Sequence, residues 1–211
     1  MALLMADTNK LGHRIGARGG KTRQAILDAT RGLLEQRYYG EIRVADVAAA
    51  ASVSPSNFYT YFKTVEEPIL VLAEEAAADF ARLAVHLSSD WSGDQAFPAA
   101  RTLVVDMLDL WREHGAALRV EHLLADRGEP AFAESRVRRL RRLHLAVERR
   151  MAQAQAGGLL PMGLSPRLAS YELVSLMESV AAGFTLLRRA DTPEAIIDTT
   201  AHIVAKLATG R

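Results

Sequence analysis

Ser54, Ser56, Asn57, Tyr59, Thr60, Tyr61 and Lys63 bring hydroxyl, amide, phenol and ammonium groups together within ten residues. They are donors and acceptors suited to a polar, anionic surface. Hydroxyls and an ammonium reach phosphate oxygens, and an amide such as that of Asn57 pairs with adenine through two edges at once.

Such groups can read a surface only if something holds them in line. Val44, Val47, Ala48 and Ala51 recur at i, i+3, i+4 and i+7 and predict a short helix, with Ser52-Val53 as the turn after it. Ser54 is a good N-cap and Pro55 fills the first helical position, where its missing N–H costs nothing. Phe58 and Phe62, four residues apart, anchor this second helix from one side and leave Ser56, Asn57, Thr60 and Tyr61 on the other. Two helices joined by a tight turn, the second with a polar outer face, make the unit that lays its second helix in a DNA major groove.

The 211-residue chain, 49% hydrophobic, is long enough for one or two domains with a real core. It has no apolar run long enough to span a membrane, and its first ten residues lack the order of a secretory signal. The absence of cysteine removes disulfides and thiolate metal sites and fits a cytoplasmic protein. Net charge is +1 but unevenly placed: residues 1–65 carry nine Lys/Arg against five Asp/Glu, or +4, and residues 66–211 carry 17 against 20, or −3. The basic end is the helix-turn-helix end, as a polyanion-binding module requires.

Residues 1–20 are polar and glycine-rich and read as a flexible basic arm, either without a role or contacting phosphates or the minor groove. Gly16 to Thr22 imitates a phosphate-binding loop, but Ile15 stands where the pattern needs its first glycine and no buried strand precedes it. Residues 21–65 form the DNA-binding domain, opening with a helix capped by Thr22 and running to about Arg37 with Ile26, Leu27, Thr30, Leu33 and Leu34 inward. Residues 66–211 form a larger helical domain. Its first helix starts at a capping box, Thr64-Val-Glu-Glu67, and runs to about Ser88, with a loop over 89–98 after it. Helices are then predicted over 97–114, 115–126, 130–156, 165–189 and from Thr192 to about Ala208. No segment alternates with a two-residue period, so the fold class is all-α, about nine helices.

Ile26-Leu27-x-Ala29, Asp46-Val47-Ala48, Ala51-x-Val53-Ser54 and Phe58-Tyr59-x-Tyr61-Phe62, in this order and spacing, resemble the TetR family of transcriptional regulators over about residues 22–70. The resemblance implies a three-helix DNA-binding domain, a fourth helix linking it to a ligand-binding domain, and homodimerisation through the last two helices. Carried over by position, it implies that Ser54, Tyr59, Tyr61 and Lys63 contact phosphates and that Pro55, Ser56, Asn57 and Thr60 face base edges. Four positions depart from the pattern. Ser52 replaces the turn glycine, Tyr38 the glycine after the first helix, Arg43 the usual Thr or Ser cap, and Val65 a backbone-contacting lysine, whose charge Arg43 and Lys63 could supply.

In the second domain, Met107, Trp111, Leu123, Leu143, Val147, Tyr171 and Val174 could line a pocket or simply be core, with Ser175 and Glu178 as polar groups on the same helix. Glu178 either reaches solvent, pairs across a dimer, or faces a cavity. Seven arginines crowd residues 136–150. Leu140, Leu143 and Val147 mark the buried side of that helix, leaving most of the arginines on a solvated face or at a site for an anionic ligand or partner. Helices 165–189 and 192–208 combine small and apolar residues, as close pairing in a homodimer requires.

The sequence thus reads as a sequence-specific DNA-binding transcriptional regulator rather than an enzyme, with no cofactor and no metal. It is a repressor released from a palindromic operator by a small, largely hydrophobic ligand. Two other classes remain: a helical protein-binding adaptor without DNA readout, and a helical metal protein or enzyme using Glu113, His114, Glu121 and His122, which lacks any HExxH, cysteine or triad pattern.

Overall fold

In the computed structural model, residues 17–210 are described. Their elements are α1 (Ala17–Gln36), α2 (Val44–Ala50), α3 (Pro55–Tyr61), α4 (Glu66–His86), α5 (Ala96–Asp126), α6 (Pro130–Ala156), α7 (Pro166–Ala182), α8 (Phe184–Leu187) and α9 (Pro193–Thr209). Short 3-10 turns cover Tyr39–Glu41 and Gly93–Gln95, and no strand occurs among the described residues. The architecture is all-α, with nine helices among the described residues, though they are divided differently from the sequence expectation.

Four boundaries moved for identifiable reasons. The first helix is already formed at Ala17, so the last four residues of the expected arm are helical, and the rest of the arm lies outside the described residues. Thr22 is no cap but an interior residue whose Oγ1 donates to the Arg18 carbonyl at 3.2 Å. The expected break at residues 114–115 is absent: α5 runs 31 residues through a buried Gly115, whose cost of about 1 kcal/mol long helix-forming flanks absorb. Conversely, the expected 165–189 helix stops at Ala182. Gly183 caps it, its N–H directed to the Ser179 carbonyl at 3.0 Å, and the four-residue α8 comes next.

The fourth helix begins at Glu66, two residues later than expected, and its cap works backward from Glu67, whose carboxylate accepts the Lys63 N–H at 2.6 Å. Two other sequence signals act as read. Ser54 accepts the Asn57 N–H at 3.1 Å at the start of α3, and Thr192 accepts that of Ala195 at 3.2 Å at the start of α9.

The chain forms two compact units. One holds the residues up to Glu75 together with Ala116–Ser135. Its core is a single cluster of Ile26 and Leu27 from α1, Val47 and Ala48 from α2, Phe58 from α3, Phe62 and Val65 beyond it, and Ile69 and Leu72 from α4. Ala117, Val120, Leu124 and Phe132, far off in sequence, complete this cluster from α5 and α6. The other unit holds Ala76–Gly115 and the chain from Arg136 onward, with Phe80, Leu103, Met107, Leu143, Val147, Val174 and Val204 buried. Within it, Trp91 Nε1 donates to the His86 carbonyl at 2.9 Å and Arg150 donates to the carbonyls of Leu87 and Ser89, which fixes the loop before α5.

Candidate nucleic-acid interface

The reading helix is held by aromatic packing on one side only. Phe58 is fully buried and Phe62 nearly so, their ring centroids 5.9 Å apart, and the Arg23 guanidinium lies over the Phe62 ring at 5.4 Å. On the opposite side Pro55, Ser56, Asn57 and Thr60 are all exposed. Tyr59 is 47% exposed with its ring edge-on to Phe58 at 5.8 Å, so an apolar neighbour fixes the ring while the hydroxyl remains available. Tyr61 is half-buried against the core cluster, and Lys63 and Arg43 are exposed. All nine expected contact residues therefore belong to one unit, and eight present an exposed side chain.

What orients this face is a set of caps and cross-links that the sequence only partly announces. Arg43 stands at the N-cap of α2, and its backbone N–H is accepted by Asp46 at 2.8 Å; the guanidinium is thereby left outward. That hydrogen bond, with the nearby Arg37 guanidinium at 3.5 Å, holds the Asp46 carboxyl below its usual range. Ser52 takes a left-handed φ of +56°, which closes the turn between α2 and α3 without the glycine usual there. Val65 is a core residue rather than a surface one, which explains why no lysine stands at that position. The cross-link sequence reasoning missed is Tyr39, whose hydroxyl donates to Glu66 at 2.8 Å and ties the turn after α1 to the first residue of α4.

The expected ligand-lining residues are distributed over both units. Met107, Trp111, Leu143, Val147 and Val174 are buried in the second unit, and Leu123 is a half-buried residue of the first. Tyr171 and Ser175 do border a cleft, of about 450 Å³, between α6 and α7. Glu178 is buried rather than reaching solvent, and it pairs inside its own chain with Arg139, whose Nη1 donates to Oε1 at 2.8 Å. Arg139 is thus an exception to the expected outer face of arginines, lying over the Phe80 ring at 4.2 Å. A helical wheel could have found it, since Arg139 shares the face of Leu143 and Val147 and an acid on an apolar helix calls for a cation. Of the residues weighed as metal ligands, Glu113 and His114 approach Asp79, and His114 is hydrogen-bonded to it at 2.9 Å. Glu121 is buried elsewhere and accepts the Ser135 hydroxyl at 2.7 Å.

A helix-turn-helix with an outward polar second helix, followed by further helices, is the arrangement of a helix-turn-helix transcription regulator. Residues 26–67 match the family described as bacterial regulatory proteins, tetR family, and residues 83–205 match the tetracyclin repressor-like C-terminal domain. The chain belongs to the TetR family of transcription regulators. Among solved structures, a TetR-family regulator from Syntrophomonas wolfei is similar at a TM-score of 0.61 and 16% identity, over 89% of this chain and 95% of that one. FadR from Bacillus subtilis, solved with stearoyl-CoA, gives 0.62 at 16% identity over 88% and 97%. GusR from Salmonella enterica gives 0.61 at 21% identity over 90% and 96%. At these identities the likeness is one of fold. No curated protein sequence matches the chain. No helix among the described residues is long and apolar enough to cross a membrane.

Proposed function

We propose that this regulator is a cytoplasmic, ligand-released repressor that binds a palindromic operator as a homodimer. The observation that carries the reading is the division of α3: Phe58 and Phe62 are locked in the core while Ser56, Asn57 and Thr60 stand free in solvent. On this reading Asn57 pairs with a base, with Pro55, Ser56 and Thr60 beside it, and Ser54, Tyr59, Tyr61, Lys63 and Arg43 reach phosphates. Residues 21–65 act as the DNA-binding domain, with the segment before them as a basic arm and the chain from 66 as the sensing and dimerising part.

Dimerisation through α7 and α9 is supported by their mutual contact and by the apolar side chains they leave in solvent, among them Leu168 at 64% exposure, Ile203 and Leu207. In such a dimer the two α3 helices enter successive major grooves roughly 34–36 Å apart. A ligand that shifts α4 changes that separation, and it releases DNA only if it binds the released state more tightly than the bound one. The complex of a similar fold with stearoyl-CoA supports ligand responsiveness.

A gel-shift titration with the DNA flanking the protein's own coding region tests the reading, run against excess unrelated DNA at several salt concentrations. A palindrome-dependent complex that survives competitor is the expected result. Binding indifferent to sequence and lost at modest salt would overturn it in favour of a protein-binding adaptor.

A further inference from the structure

We propose that the cleft between α6 and α7 is the effector site and that it takes an anionic amphiphile, a carboxylate or phosphate head on an apolar body. This rests on reading the protein as a ligand-responsive regulator and names the chemical class of that ligand. It makes the small, largely hydrophobic ligand expected from sequence more specific by adding an anionic head to the apolar body.

The cleft's volume of about 450 Å³ is within the range of small-molecule pockets, roughly 300–1,000 Å³. Leu140, Leu145 and the Tyr171 ring supply apolar wall, while Arg136, Arg141 and Arg167 bring three guanidiniums to it against the single carboxylate of Glu148. In the same unit Arg101 pairs with Asp198 at 2.7 Å and Arg112 with Asp109 at 2.7 Å. Among the described residues neither Arg141 nor Arg167 meets a carboxylate at such range. Like charges converging on one concave surface repel, and an anion within it supplies the missing counter-charge through charge-assisted hydrogen bonds.

His144 completes the wall without adding charge. Its ring stacks on Tyr171 with centroids 4.0 Å apart and planes at 27°, and burial pushes its pKa down, so it offers a flat neutral face. The site's positive charge therefore resides in the guanidiniums, which stay protonated at any physiological pH.

The cleft is also wired to α4. Arg136 reaches Glu178 Oε2 at 3.7 Å, Glu178 holds Arg139 at 2.8 Å, and Arg139 lies over Phe80 of α4 at 4.2 Å. An anion that draws on Arg136 competes with Glu178 for it, and the competition is felt at the helix that leads to the DNA-binding end.

The test is isothermal titration calorimetry on the full-length protein with decanoate, decyl phosphate, decanol and decyltrimethylammonium, all below their micelle concentrations. Decanoate or decyl phosphate is expected to bind saturably, about tenfold or more tighter than decanol, with the cation weakest. Whichever anion binds more tightly identifies the head group. An Arg141→Gln/Arg167→Gln variant, at two exposed positions, is expected to keep its thermal melt while losing the preference for anions over decanol. No binding of either anion, equal binding of decanol, or an undiminished preference in the variant overturns the proposal. Operator gel shifts with the same probes separate the two readings. Arginine-dependent binding that leaves DNA bound keeps the site and removes the sensor reading. Release by ligands indifferent to Arg141 and Arg167 keeps the sensor reading and removes the site.

Discussion

Arg139 and Glu178 meet at 2.8 Å with the guanidinium wholly out of solvent and the carboxylate almost so, one on α6 and the other on α7. Taking two charges out of water is costly, and their attraction compensates only because the geometry is short and the Phe80 ring covers the cation. Each partner therefore depends on the other more than the pair contributes as a whole. Glu178→Ala is expected to cost about 1.5–3 kcal/mol in urea unfolding, because it removes a charge-assisted hydrogen bond from a buried guanidinium. Arg139→Met combined with Glu178→Leu is expected to unfold within about 1–2 kcal/mol of the parent protein. A double variant as unstable as the single one would show that the charges themselves hold the two helices together.

The two sides of α3 should respond to substitution in opposite ways. Phe58→Ala removes a fully buried ring and is expected to destabilise the DNA-binding unit by about 3–5 kcal/mol, so DNA binding is lost with the fold. Asn57→Ala removes an exposed amide and is expected to leave the melt unchanged while weakening the specific complex by about 1–3 kcal/mol at one base position. An unchanged gel shift for Asn57→Ala would mean that α3 is positioned, but does not read, through this residue.

Tyr39 makes stability depend on alkaline pH. Burial first, and then the hydrogen bond to Glu66 and the charge of that carboxylate, raise its pKa from 10.0 to about 12. The Glu66 carboxyl is affected by burial, which raises its pKa, but hydrogen bonds from Thr64 and Tyr39 outweigh that and hold it below the usual range. Because the fold favours the neutral phenol, this contribution is complete below the unfolded value of 10.0 and is lost as pH rises towards 12. Tyr39→Phe is expected to cost about 0.5–1.5 kcal/mol at neutral pH. The difference between the two proteins should shrink across that alkaline window, measured by urea unfolding at successive pH values. A constant difference would mean that the hydroxyl is not titrating against Glu66.

The helix-turn-helix was legible because its signals are local. Ser54 before Pro55, Phe58 four residues before Phe62, and the apolar spacing from Val44 to Ala51 each fix geometry within a turn or two of helix. Gly115 and Gly183 show where local signals fail. The same residue type sits inside α5 and ends α7, and the tertiary packing of the neighbouring residues decides between the two. The cleft between α6 and α7 was largely illegible for a related reason. Apolar residues at helical spacing identify a buried face without saying whether a cavity borders it, so Val174 and Tyr171 looked alike although one is core and the other borders the cleft. Tyr39 with Glu66 is a pair distant in sequence that no periodicity connects, whereas Arg139 could be placed on the buried face of its helix but not matched to Glu178 by any local signal.

Ser52 is the one departure from the family pattern with a direct conformational cost. At φ +56° its Cβ crowds the backbone, a penalty of roughly 1–2 kcal/mol that glycine would not incur. Glycine would also widen the unfolded ensemble, which takes back about 0.4–1 kcal/mol. Ser52→Gly is therefore expected to stabilise the DNA-binding unit by about 0.5–1 kcal/mol, read as a higher urea midpoint at unchanged slope. The side chain is exposed, and the turn closes through backbone bonds from Ser52 to the Ala49 carbonyl at 3.1 Å and from Val53 to that of Ala48 at 2.9 Å, which glycine keeps. Operator affinity should then stay the same or rise slightly, since α3 is held in the same place by a less strained turn. A loss of affinity without a loss of stability would instead give the Ser52 hydroxyl a contact of its own with DNA, at the turn where the two helices of the motif meet.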